Sequence, residues 1–157
     1  MTMKEKKEFL NFLVYRLSEI DNFNDVGIAL GVGNNKAREL VYGKIMGKEL
    51  TISTLIDSSA VVSKYAIIDS GTVIFPNAVV NNSAYLGKGC IINTGAIIEH
   101  DCVVSDFVHI SPNAALAGGV KVGKYTQIGI GASVKQNIVI GDNVIVGAGA
   151  VVVKKYT

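Results

Sequence analysis

The chain has no tryptophan, and aromatic residues make up only 7% of its 157 positions. It has two prolines, two cysteines and two histidines. With so few rings, a core must be built from Val, Ile, Leu and Ala, which suggests a thin and regular interior. Two cysteines, Cys90 and Cys102, cannot make a disulfide framework. The longest apolar run, Val144 to Val153, is too short to span a bilayer. The opening MTMKEKKEF is charged and has no signal-peptide apolar segment, so the cytoplasm is the expected location. The net charge of +2 gives no general sign of a nucleic-acid partner. Its distribution is uneven. Two lysines face five acids between Ile56 and Asp106, whereas Lys121, Lys124, Lys135, Lys154 and Lys155 face only Asp142 beyond it. That basic end is either ordinary solvated surface or an attraction for a phosphorylated ligand.

What the chain has in abundance is a repeat. Cut into sixes from Ile56, it runs for seventeen hexads to Thr157 without an insertion. The first position is Ile, Leu or Val every time, although only 33 of these 102 residues are of those types, so the phase is no accident. The fifth position is Ala, Cys, Thr or Val in fifteen of the seventeen hexads, as in Ala96 and Thr126, and Cys90 and Cys102 both stand there as small core residues. The fourth is Gly or Asn in ten hexads, the residues that tolerate a left-handed backbone. Between corners, side chains alternate: the fifth and first point inward, the sixth and second outward. Three such strands per coil close a triangular prism, and the coils stack at roughly 4.8 Å. Each coil buries its face only against its neighbours. The expected division is a β-solenoid over 56–157 preceded by a short α/β segment or cap over 1–55.

Within that first segment, Leu10, Leu13, Val14 and Leu17 form a helical stripe in Lys4 to Ile20. Asp21 to Asp25 reads as a turn-rich break, Val26 to Val32 as a short strand, and Lys36 to Met46 as a helix; Leu50 to Leu55 then feeds the first coil. Strand, GVGNN turn and helix are consistent with a fragment of a nucleotide-binding unit, or equally with a cap over the open end of the solenoid.

Both histidines lie in INTGAIIEHDCVVSDFVHI, nine residues apart. His100 takes a corner, flanked by Glu99 and Asp101. An outward imidazole beside a carboxylate is a suitable general base, because the acid fixes its tautomer and raises its basicity. His109 takes an outward strand position, and Asn93 and Ser111 share its face as a polar patch. Nine residues is half a coil, so the two imidazoles cannot meet within one chain. Apolar outward positions at Val61, Val73, Val79, Ile91 and Ile97 call for a partner. A cyclic homotrimer with sites between subunits accounts for both features.

The hexad pattern L/I/V-G-x-x-S/T/A/V-x resembles the hexapeptide-repeat acyltransferases, which implies a left-handed parallel β-helix. IEHD and the nine-residue histidine spacing are similar to the sugar acetyltransferases related to sialic acid O-acetyltransferase and to UDP-4-amino-sugar and perosamine N-acetyltransferases. That resemblance implies His100 as the base, Asp101 as the acid that raises its basicity, and Asn93 beside the reacting groups. It implies His109 as a contact to acetyl-CoA, the co-substrate, from the neighbouring subunit, with further contacts at Gly118, Ile130, Gly147 and Ala148. The implied reaction is direct acetyl transfer to an amine or hydroxyl of a sugar or nucleotide sugar in cell-surface glycan biosynthesis, without a metal. Members of that family carry a fuller nucleotide-binding domain before the solenoid and a G-x-P-A-K tail after it. Here the resemblance begins at about Phe23 and the coils reach Thr157. Two other classes share the fold: a zinc hydratase of the γ-carbonic anhydrase kind, which needs three histidines, and a non-catalytic trimeric assembly or binding protein.

Overall fold

The computed structural model describes residues 7–9, 12–14, 27–48 and 50–155. From Leu55 to Val152 the backbone makes seventeen two-residue strands arranged in three parallel sheets. The register advances by one coil at each step: Val73 faces Ile91, Ile91 faces His109, and His109 faces Gln127. The three sheets are the faces of the prism. With its hexapeptide repeats the fold is mainly β, a left-handed parallel β-helix.

The hexad positions take their expected roles. First-position residues such as Ile92, Ile98, Leu116 and Ile128 are fully buried, and fifth-position Ala96, Cys102, Ala114 and Ala132 interleave with them. Cys90 and Cys102 point into this core; burial pushes the Cys90 thiol up to about 12, and raises that of Cys102 as well. Every fourth position from Gly71 through Gly149 has a left-handed φ, including Ser83, Asp101, Phe107 and Tyr125. The corner geometry is therefore stronger than residue preference: even an aromatic ring is forced into it.

The first segment departs from its reading at one end. Where described, the stretch with the helical stripe is a strand pair: Lys7–Phe9 runs antiparallel to Phe12–Val14. Short apolar runs satisfy either period, and here antiparallel strand pairing prevails. The turn at Asp21 to Asp25 lies outside the described residues. Gly27–Ile28 forms the next strand, shorter than the reading of Val26 to Val32, and pairs in parallel with Thr51–Ile52. Between them runs the helix Asn35–Met46, capped by Asn34, whose side chain accepts from the Ala37 N–H at 2.9 Å. Strand, helix and parallel strand thus make one βαβ unit around Leu30, Ile45 and Ile52.

Among the described residues this helix runs up one corner of the prism rather than across the open end, where Ile56 stays exposed. Its anchor is Arg38, fully buried. Arg38 donates to the carbonyls of Gly89 at 2.6 Å and Phe107 at 3.0 Å in two successive coils, to Val32 and Gly33 in its own loop, and to Asn35 Oδ1. Burial lowers its pKa to about 10, still well above neutrality, so it stays charged. Asn35 donates to the Tyr125 carbonyl, one coil further up the same corner. Glu39 accepts from Lys124 at 2.9 Å and from the Tyr125 hydroxyl at 2.6 Å. The Phe107 ring fills the notch above Gly89, stacks on Tyr125 at 6.2 Å and takes the edge of Tyr42.

Candidate active site

His100 is the third residue of its hexad, on the corner between the strands Ile97–Ile98 and Val103–Val104. The corner is held from both neighbouring coils: Asp101 N–H donates to the Asn82 carbonyl below, and the His100 carbonyl accepts from Gly119 N–H above. Asp101 adopts φ +59°, which its short polar side chain tolerates. Its carboxylate lies against the ring of its neighbour, with His100 Nδ1 2.8 Å from Asp101 Oδ2, while both side chains remain more than half exposed. A carboxylate only accepts, so Nδ1 carries the proton and Nε2 is left as the basic atom. The hydrogen bond to Asp101 holds the imidazole pKa above its ordinary value, partly opposed by desolvation, with the charges of Asp101 and Glu99 adding to the rise. Glu99 is itself fixed from the coil below, its Oε2 accepting from Asn81 Nδ2 at 3.0 Å.

His109 stands in the strand His109–Ile110, on the third sheet, which faces away from the His100 corner. Asn93 and His109 are joined, Nδ2 to Nε2 at 3.1 Å. Asn93 Oδ1 already accepts from Thr94 N–H at 2.8 Å, which turns the amide NH2 toward the ring. His109 Nε2 must then accept, so its proton sits on Nδ1. Burial, and after it the charge of Arg38, lowers its pKa, and the ring is neutral at pH 7, as an acceptor must be. Ser111 lies buried one coil above Asn93.

The structure therefore brings Asn93 to His109 and Asp101 to His100, and keeps the two pairs on different sides of one chain. Gly118 lies directly above His100 on its corner. Ile130, Gly147 and Ala148 gather elsewhere, at the corner between the His109 sheet and the sheet of Ile97, where Gly149 N–H donates to the Ile130 carbonyl. Of the basic end, Lys124 is occupied by Glu39. Arg38 and the Asn81–Glu99 pair were not singled out in the sequence. For the second, the signal was available in the 18-residue spacing that puts Asn81 under Glu99.

An outward His–Asp corner on a left-handed solenoid defines the class, a hexapeptide-repeat transferase. The family described as bacterial transferase hexapeptide (six repeats) matches residues 119–154. A comparison with functionally curated proteins returns no match. Among solved structures, the acetyltransferase domain of PglB from Neisseria gonorrhoeae, in complex with acetyl coenzyme A, is 33% identical; the match covers 99% of this chain and 78% of that one, with TM-score 0.92. A histidine-to-asparagine mutant of perosamine N-acetyltransferase from Caulobacter crescentus, in complex with CoA and GDP-perosamine, is also 33% identical, covering 89% of this chain and 67% of that one, with TM-score 0.87. WeeI from Acinetobacter baumannii shares the fold at 17% identity, 92% and 76% coverage and TM-score 0.76. The chain belongs to the hexapeptide-repeat sugar acetyltransferases. No helix among its described residues is long and apolar enough to cross a membrane.

Proposed function

We propose that this protein transfers the acetyl group of acetyl-CoA to an amine or hydroxyl of a sugar or nucleotide sugar, in cell-surface glycan biosynthesis in the cytoplasm. The observation that carries the reading is the exposed His100–Asp101 pair, with Nδ1 tied to the acid and Nε2 left basic. The acetyl-CoA complex of the PglB domain and the CoA and GDP-perosamine complex of the perosamine enzyme support the two substrate classes.

His100 Nε2 takes the proton of the acceptor as the acceptor nitrogen or oxygen attacks the thioester carbonyl. The new C–N or C–O bond forms, the C–S bond breaks, and the CoA thiolate leaves and recovers the proton. Asp101 steadies the imidazolium formed in between. Holding both substrates in register supplies much of the remaining acceleration. The site is shared in a homotrimer. One subunit gives His100 and Asp101, and its neighbour gives His109 and Asn93. Backbone at Gly118, Ile130, Gly147 and Ala148 lines the path of the co-substrate. Two features support this assembly: the opposed placement of the histidines, and exposed apolar side chains at Val61, Ile97 and Val151 down one face.

The test is release of free CoA from acetyl-CoA in the presence of amino sugars, nucleotide amino sugars and sialic acid. His100→Ala is expected to lower turnover by about 10² to 10⁴ with fold and trimer unchanged. Unchanged turnover would remove His100 from the mechanism. Calorimetry with acetyl-CoA separates the remaining case, because a non-catalytic assembly protein would bind none.

A further inference from the structure

One glycine of the solenoid makes room for a side chain of the neighbouring coil and not for a backbone turn or contact. Gly118 is a third-position residue, and of the seventeen third positions only this one is glycine. The left-handed turn belongs to Gly119, at φ +70°, while Gly118 has an ordinary backbone that any residue adopts. Gly87, Gly123 and Gly129, where a Cβ would also collide, are blocked at least in part by backbone of the next coil, and Gly89, Gly95 and Gly119 carry a left-handed φ. The three atoms nearest to a Cβ on Gly118 would all belong to His100: Nε2 at 2.6 Å, Cε1 at 2.6 Å and Cδ2 at 3.3 Å. The imidazole thus rests in the space that a side chain at 118 would fill. Its other edge is tied to Asp101.

We propose that Gly118 is a positioning residue for the base, its missing side chain forming the seat in which the His100 ring lies with Nδ1 on Asp101 and Nε2 toward the next coil. The catalytic part of this proposal rests on the role given to His100 above. Because the collision is with the end of a side chain, an alanine at 118 leaves the coil intact and swings the ring. The Nδ1–Asp101 bond is then lost, and the base is misaimed. A displacement of an ångström at a reacting group is enough to cost up to about a hundredfold in rate.

Gly118→Ala is tested in three ways on the whole protein. Long-range proton–nitrogen NMR of the free protein follows the His100 ring: its titration midpoint is expected to fall toward the ordinary value of 6.5 and its Nδ1 signal to shift. Steady-state kinetics are expected to show kcat at saturating acetyl-CoA down by about tenfold or more. Melting temperature is expected to fall on Gly118→Ala with His100 present, and to stay unchanged when the same substitution is made on His100→Ala, where the seat is empty. An unaltered His100 titration overturns the proposal. So does an equal loss of melting temperature in both backgrounds, or a rise in KM without a fall in kcat. If the parent protein transfers no acetyl group at all, the proposed function fails, while the NMR and melting experiments still decide whether Gly118 seats the ring.

Discussion

The solenoid and the βαβ unit on its flank are held by opposite means. In the solenoid every coil repeats the same buried Ile, Val, Leu and Ala contacts, so cohesion is spread along its length. The flanking unit has a small cluster of its own around three buried apolar residues, and is fixed to the prism chiefly by polar contacts centred on one buried cation. A repeat can lose a contact and keep its neighbours. Among the described residues the flanking unit has no second buried arginine. The difference follows from what each surface offers: coils present apolar stripes to one another, whereas the corner facing the flank presents the carbonyls of Gly89 and Phe107, and these need donors.

The sharpest way to break this contrast is to remove the cation. Arg38→Ala leaves the carbonyls of Gly89 and Phe107 buried without their donor, and is expected to cost the flanking unit about 4 kcal/mol of docking. Limited proteolysis should then cut between Gly27 and Leu55 while the coils survive. The same change should move the His109 titration upward, because a nearby positive charge is gone. Loss of the coils along with the flank would mean that the two regions fold as one unit. Leu116→Ala, inside the solenoid, is expected to cost about 3 kcal/mol in chemical denaturation and to leave flank protection unaltered. The smallest effect belongs to Glu39→Gln. Its partly exposed pair with Lys124 should contribute about 0.5 kcal/mol and fade in high salt. The hydrogen bonds from Tyr125 and Lys124 hold the Glu39 carboxyl below its ordinary 4.5. That contribution is therefore present above pH 4.5 and is lost as pH falls from there through the depressed value, which an acid titration of parent against variant would detect.

The same contrast explains which features were legible in the sequence. A strict period of six announces itself, and once the period is known the register follows arithmetically. Adjacency alone pairs His100 with Asp101, and register places Asn93 beside His109. The flank has no period to count. Its first stretch carried a helical stripe and paired as strands, because apolar runs that short fit both. A buried arginine is unexpected from composition, since nothing local reveals that carbonyls of two successive coils will converge on it. Gly118 is a different case: its sequence signal, a lone glycine among third positions, is plain only after the third position is known to be where His100 points.

The two-residue strands have a last consequence, for how such a chain can change in length. Position along the axis and direction around it are both written in the residue count. Eighteen added residues would lift everything beyond them by one strand spacing, roughly 4.8 Å, and leave every side chain facing as before. Six would turn the upper part through a third of a revolution, carrying Ile130 and Ala148 to another face while His100 stayed in place. The chain is a ruler graduated in sixes, and the distance between its His100 corner and its upper end can be altered only in whole divisions.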